Sequence, residues 1–122
     1  MTISAHIDNS RQVTIFTAVG AITFSDVMAA LESYYNDAPT PNIIWDFRDA
    51  RPGEVILPRK LKEIASFAQQ RPRMRTGGKT AFVASQDLVF GILKMYEGFA
   101  ARAELAHSVK TFRSMEEALT WL

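Results

Sequence analysis

What most constrains this chain is the order of its elements. Two strand-like runs come first, Ile3–Asp8 and Arg11–Val19, and strand-like and helix-like runs then alternate to the last residue. Ile3, Ala5 and Ile7 alternate with Ser4, His6 and Asp8; Val13, Ile15 and Thr17 alternate with Thr14, Phe16 and Ala18. Period-two alternation on both sides of the turn formers Asn9-Ser10 predicts a hairpin with a two-residue turn, its second strand ended by Gly20.

Thr23, with Asp26 three residues on, reads as a helix N-cap, and Val27, Leu31 and Tyr34 follow at helical spacing. Asn36 to Pro41 cannot continue that helix. Asn42–Asp49 is short and rich in β-formers, as expected of a central strand buried on both faces. Pro58 suits a first helical turn, with Leu61, Ile64, Ala65 and Ala68 behind it and Pro72 as the stop. Gly77-Gly78 lead into a second buried-type strand, Lys79–Ala84. Ser85 is the expected cap of the longest helix, roughly 86 to 105, whose broad apolar face holds Leu88, Val89, Ile92, Leu93, Tyr96, Phe99 and Ala100. Val109, Thr111 and Phe112 form a last strand, and Ser114 with Glu117 makes a capping box for a final helix.

The order is thus β-β-α-β-α-β-α-β-α. Strands joined by helices are expected to run parallel, because such crossovers are right-handed and bring the next strand in beside the last. We expect an α/β fold: a mixed sheet that opens with an antiparallel hairpin and continues in parallel strands, with four helices covering at least one face. At 122 residues the whole chain, 1–122, is expected to be one domain.

Composition narrows the function classes. Fourteen Lys and Arg balance 13 Asp and Glu, so no global field steers the chain to nucleic acid or an anionic membrane. Cysteine is absent, which removes disulfides, thiolate zinc sites and a cysteine nucleophile together. His6 and His107 are the only histidines and neither has a second ligand at metal spacing, so neither a metal nor another cofactor is expected. The amino terminus has no basic region followed by an apolar stretch, and no apolar run approaches the ~20 residues of a membrane span. A cytoplasmic location is the expectation.

This order resembles the SpoIIAA-like fold of the STAS family (sulfate transporter and anti-sigma-factor antagonist), above all its stand-alone bacterial members of unknown role. The residues that carry the resemblance are Ile22–Asp26 opening the first helix, Ile44–Asp49 on the central strand, Gly78–Val83 on the next, Phe90–Glu97 on the long helix and Phe112–Leu119 at the end. It spans nearly the whole chain and implies a non-catalytic interaction or regulatory module. In the anti-sigma-factor antagonists, a phosphorylatable Ser begins the helix after the central strand, where a phosphate meets a helix N-terminus. Here no Ser or Thr occurs between Thr40 and Ser66, so the resemblance does not extend to that switch.

Four sets of residues carry candidate chemistry. Gly77-Gly78-Lys79-Thr80 ends like a phosphate-binding loop, but it lacks the earlier glycine and runs into a strand, so a loop entering a strand is the better reading. Asp46, Arg48 and Asp49 cluster at the carboxyl end of the central strand, where open α/β sheets bind ligands. They suit a polar ligand, acid–base work or a simple internal salt bridge. Arg71, Arg73, Arg75 and Lys79 make a basic run without interleaved aromatics, suited to an anionic head group or to a solvated loop rather than to nucleic acid. On the long helix Phe90 projects away from the apolar face, and Gly91 and Gly98 flank Met95 on a side stripe. Interior helical glycine costs ~1 kcal/mol, so a close approach is one reading and packing under a neighbouring segment the other.

Three functions stay open. The first is an interaction module that self-associates, as a homodimer for example, or binds a protein partner through the face of Phe90, Gly91, Met95 and Gly98. The second is a carrier or sensor of a small apolar or lipid-like ligand lined by the long helix, with Arg71, Arg73 or Arg75 at its head group. The third, an enzyme using Asp46 and Asp49, ranks below both, because no nucleophile elbow or other catalytic motif accompanies them. A carrier needs an enclosed apolar pocket of ~300 Å³ or more.

Overall fold

A computed structural model of the chain describes residues 2–37, 39–53, 58–71 and 75–122. Its elements run β1 (Thr2–Asp8), β2 (Val13–Ala21), α1 (Phe24–Asn36), β3 (Asn42–Arg51), α2 (Pro58–Gln69), β4 (Lys79–Val83), α3 (Asp87–Arg102), β5 (Ser108–Phe112) and α4 (Met115–Trp121). The five strands form one sheet in the order β1-β2-β3-β4-β5, antiparallel between β1 and β2 and parallel elsewhere. This is the mixed α/β architecture that the element order predicts. Among the described residues no helix is long and apolar enough to cross a membrane.

The strand order explains the layering. Every parallel crossover steps in the same direction along the sheet, and right-handed crossovers that never reverse direction put their helices on one face. So α1, α2 and α3 share a face, where their buried residues meet Phe16, Trp45, Phe47 and Phe82 of the strands. Only α4 lies on the other face, over Val13, Ile44, Ala81, Val83 and Phe112. β3 lies between the two layers, and its residues from Ile43 to Phe47 are all buried, as its composition predicts.

Local chemistry sets the ends of the elements. Thr23 Oγ1 accepts the Asp26 N–H at 3.2 Å and donates to Asp26 Oδ2 at 2.6 Å, closing the expected cap of α1. Ser114 Oγ accepts the Glu117 N–H at 3.2 Å and does the same for α4. Pro58 is the first residue of α2, while the expected stop at Pro72 falls outside the described residues.

Several expected boundaries move. The hairpin turn has four residues, not two, since Asp8 pairs with Val13. Asp8 Oδ1 gathers the N–H groups of Ser10 and Arg11 and the Ser10 hydroxyl, and Gln12 takes a left-handed φ of 53°. β2 therefore starts at Val13 rather than Arg11, and it runs through Gly20 to Ala21. β3 extends to Arg51 and carries a register shift against Thr17 and Val19, which gives β3 one extra residue before Asp49. Ser85 does not cap α3: the N-cap is Gln86, without a side-chain bond, and the Ser85 hydroxyl faces the Arg48 carbonyl at 3.5 Å. The buried stripe of α3 is narrower than predicted, with Val89, Leu93, Tyr96 and Ala100 inside and Leu88 exposed at 62%.

Trp45 anchors the helix-covered face. It stacks on Phe16 at 4.4 Å and on Phe47 at 5.7 Å, inside a string of ring contacts that runs on to Phe82 and Tyr96. Truncating a buried aromatic leaves both a transfer loss and a cavity. Trp45→Ala should therefore cost about 3–5 kcal/mol, read as a lower urea midpoint at unchanged slope.

Candidate functional site

A space remains where α1, α2 and α3 meet the strands. Here it is an apolar chamber of about 80 Å³. Val27 and Leu31 of α1, Leu61, Ile64 and Ala68 of α2, and Ile92, Leu93 and Tyr96 of α3 wall it from above. Trp45, Phe47 and Phe82 form its floor. Residues with polar side chains also contribute to the wall at one end. Arg75 from the loop before β4, Thr80 at the start of β4, Tyr96 and His107 from the loop before β5 all line it there. These lie at the amino ends of the parallel strands, opposite the end where open α/β sheets usually bind ligands.

Arg75 is only 3% exposed. Its guanidinium donates from Nε and Nη2 to the Pro41 carbonyl, at 3.2 Å each, and from Nη2 to the Lys79 carbonyl at 2.9 Å. It also sits 5.8 Å from the Tyr34 ring. The Tyr34 hydroxyl donates to the Thr40 carbonyl, and burial raises its pKa against the opposing effects of Arg75 and that bond. Gly78 makes the crossing of these two loops possible, because a Cβ there would meet the Pro41 carbonyl oxygen at 1.9 Å.

Titration at this end is dominated by burial. The Tyr96 phenol is pushed up by desolvation, and more weakly by Tyr35, so it stays protonated at neutral pH. His107 is pushed down to about 3, first by burial and then by the positive charge of Arg75. Thr80 is 4% exposed, and its Oγ1, like that of Thr111, has no hydrogen-bond partner among the described residues. A buried hydroxyl left unpaired costs about 1–3 kcal/mol.

The other candidates lie apart. Asp46 is buried and fully engaged by one neighbour: Arg48 Nε and Nη2 reach its two oxygens at 2.9 Å each, and the Arg48 N–H adds a third bond. Burial alone would raise the Asp46 carboxyl, but these bonds outweigh it and hold the group below the ordinary carboxylate range. Asp49 is exposed, and neither carboxylate lines the chamber. Within the basic run, Arg71 stacks 3.6 Å over the Phe67 ring and donates to the Phe67 carbonyl at 2.8 Å. Arg73 lies outside the described residues. Lys79 turns to the Trp121 carbonyl at 2.8 Å, on the opposite face of the sheet, as befits a loop entering a strand rather than a phosphate cradle.

On α3, Phe90 is half-buried beneath Arg113, whose guanidinium lies 3.9 Å from its ring, and it packs against the core. A Cβ at Gly91 or Gly98 would meet nothing within 4 Å among the described residues, so neither glycine serves a close contact with them. Met95, at 42% exposure, and Leu88 stand on the same outer stripe as those glycines. Two wider grooves, of about 410 Å³ between β1 and α1 and about 440 Å³ beside the end of α3, are more polar and hold no buried cation.

Sequence reasoning placed Tyr96 in the core, set His107 aside and weighed Thr80 only as the end of a phosphate-loop-like stretch. No local pattern marks these residues, because they meet only when α3 and two strand-entry loops are packed together.

Among solved structures, the chain is similar to an uncharacterised protein of the DUF3478 family with a SpoIIAA-like fold from Shewanella loihica PV-4. The identity is 17%, the TM-score 0.60, and the match covers 99% of this chain and 92% of that one. It is also similar to the anti-sigma factor antagonist SpoIIAA in its unphosphorylated form, with 12% identity, a TM-score of 0.52 and coverage of 98% and 96%. The fold is SpoIIAA-like. No family profile and no curated protein matches the sequence. Within this SpoIIAA-like frame, the segment that enters α2 after β3 contains no hydroxyl residue at all.

The His107 environment has a measurable consequence. The unfolded residue binds its proton near pH 6.5, the folded one only near 3. The unfolded chain therefore holds more protons between those values, and stability rises with pH across that window and falls as His107 is forced to charge. Between about pH 4.5 and 6.5, above the range in which Asp46 titrates, the melting temperature should climb with pH. The slope is at most ~1.4 kcal/mol per unit, and His107→Gln should flatten it.

Proposed function

We propose that this chain is a non-catalytic binding module, of the regulatory or carrier kind, that takes a small and largely apolar ligand into the chamber beneath α1–α3. The observation that carries this reading is the chamber itself: an apolar space walled by three helices and the sheet is a place for an apolar guest. Its size bounds the ligand. About 80 Å³ falls well short of the ~300 Å³ of a typical ligand pocket, so a short chain or small ring fits and a whole acyl chain does not. The acid–base alternative has less support, because Asp46 is neutralised by Arg48 and faces no cleft. A phospho-switch of the antagonist type has no hydroxyl to use in the segment entering α2.

Apolar cavities stay dry and accept inert apolar guests. Under xenon pressure, amide signals of Phe82, Ile92 and Leu93 should shift in a saturable way. Ala68→Leu, which adds bulk to the chamber wall, should abolish the shifts while keeping the fold. Xenon shifts confined to the surface grooves would overturn the assignment.

A second reading has its own observation. Leu88, Gly91, Met95 and Gly98 follow one another at helical spacing on the outer face of α3, and the two large side chains are 62% and 42% exposed. This stripe suits a protein partner or a second copy of the chain better than Phe90, which Arg113 already covers. Leu88→Glu with Met95→Glu should convert any dimer seen by native mass spectrometry to monomer, whereas Phe90→Glu should act mainly through stability. A mass distribution indifferent to the Leu88 and Met95 changes would remove this surface from consideration.

A further inference from the structure

The two edges of the sheet differ, and we propose that the unguarded one, β1, is the seam on which two copies of this chain join as a symmetric dimer. This seam is separate from the chamber, and it gives a second copy a different surface from the outer stripe of α3.

A strand at a sheet edge carries a row of backbone N–H and C=O groups that its one neighbour does not use. Proteins blunt such rows with short strands, Lys, Pro, bulges or a covering side chain. β5 is blunted. Phe112 turns its carbonyl inward to Ala84 at 3.0 Å, so the N–H of Thr111 beside it points outward. The Glu97 carboxylate of α3 accepts that N–H at 3.0 Å, and Lys94 pairs with the same carboxylate at 3.3 Å. Lys110 adds an exposed charge on this strand of only five residues.

β1 has none of these devices. It is seven residues long and holds no Lys, Arg or Pro. Its pairing with β2 runs from Thr2↔Val19 to Asp8↔Val13 without a bulge. Among the described residues β2 is its only hydrogen-bonded neighbour, so the outer row of backbone groups stays open.

The strand also fits itself. Ile3, Ala5 and Ile7 line the groove beside α1, and alternation turns Thr2, Ser4, His6 and Asp8 to the other face. Consider two β1 strands, antiparallel about a two-fold axis at Ala5. Ile3 then lies opposite Ile7 of the second copy, Ala5 opposite Ala5, Ser4 opposite His6, and Thr2 opposite Asp8. Each apolar residue meets an apolar one, and each polar residue meets one that hydrogen-bonds. The one carboxylate of the strand, Asp8, meets a hydroxyl and no like charge. A slip of one residue would set the apolar row of one copy against the polar row of the other. A slip of two would leave Ile3 or Ile7 with nothing opposite.

This axis stands perpendicular to the sheet, so both copies keep their three-helix layers on the same side. The two apolar rows become one, and Ile7, 54% exposed in the single chain, gains a neighbour. An extended peptide from another protein is the rival occupant of such an edge. The self-matching register favours the second copy.

The test is sedimentation equilibrium of the whole chain at concentrations up to about 1 mM, with amide exchange followed over the same range. A reversible monomer–dimer equilibrium is expected, in which alternate amides of β1 gain protection as the dimer forms. Ala5→Lys sets two like charges opposite each other at the axis and should weaken dimerisation several-fold or more. Ala5→Glu should do the same, and mixing the two variants should restore the dimer, since each Lys then faces a Glu. Ala5 is exposed, so both variants should keep the parent circular dichroism. Should either variant fail to fold, exchange in the unaltered chain decides: protection gained elsewhere and not at β1 would overturn the proposal. A monomer throughout the range would overturn it too, as would a mixture of the two variants that stays monomeric. A dimer that survives Ala5→Lys but is lost with Leu88→Glu and Met95→Glu would move the seam to α3. None of these outcomes bears on the chamber, which the xenon response tests separately.

Discussion

The structure depends on how β3 is buried. With a helix layer on each side, both faces of the strand must be apolar, and its helix-covered face is made of rings. Trp45 stacks between Phe16 and Phe47, and the contacts continue through Phe82 to Tyr96 on α3 and through Tyr34 and Tyr35 on α1 to Phe67 on α2. Large planar side chains supply much buried area per residue. They also pack less adaptably than branched aliphatic chains. A layer of rings under three helices fixes where the helices sit and leaves a gap that no ring can bend to fill. The chamber is that gap.

The polar end has a different origin. Consecutive crossovers in one direction bring three strand entries to the same side, and the loops before β4 and β5 lie together there. Gly77 N–H bonds the Ala106 carbonyl at 3.0 Å, and Ser108 N–H bonds the Gly78 carbonyl at 3.0 Å. Those bonds hold Arg75 and His107 against the mouth of an apolar space. Desolvation then acts on the titratable neighbours: it pushes the His107 imidazole down and the Tyr96 phenol up, so both stay neutral at pH 7.

Much of the fold was legible in the sequence. Thr23 with Asp26 and Ser114 with Glu117 announced their helix starts, because capping is a local exchange of hydrogen bonds. The run Ile43–Phe47, rich in β-formers and interrupted only by Asp46, announced a strand buried on both faces. Ser85 was a poor guide for the same reason in reverse: its hydroxyl had a tertiary alternative at Arg48, and nothing near it in sequence reveals that. The hairpin turn was misjudged because the Asp8 side chain organises four residues in place of a glycine.

The candidate site was hardly legible. Arg75 belonged to a run of basic residues that read as one patch, yet among its described members Arg71 went to the Phe67 ring, Lys79 crossed to Trp121, and Arg75 turned inward. By itself the sequence determined the element order, the parallel sheet and which strand is central, because these rest on periodicity, capping and the handedness of crossovers, all short-range or topological rules. Only the tertiary structure decided which of the described arginines is buried, which hydroxyls are left unpaired and where the apolar gap lies. Those properties depend on whether packed surfaces from distant segments happen to fit, and no local spacing encodes that.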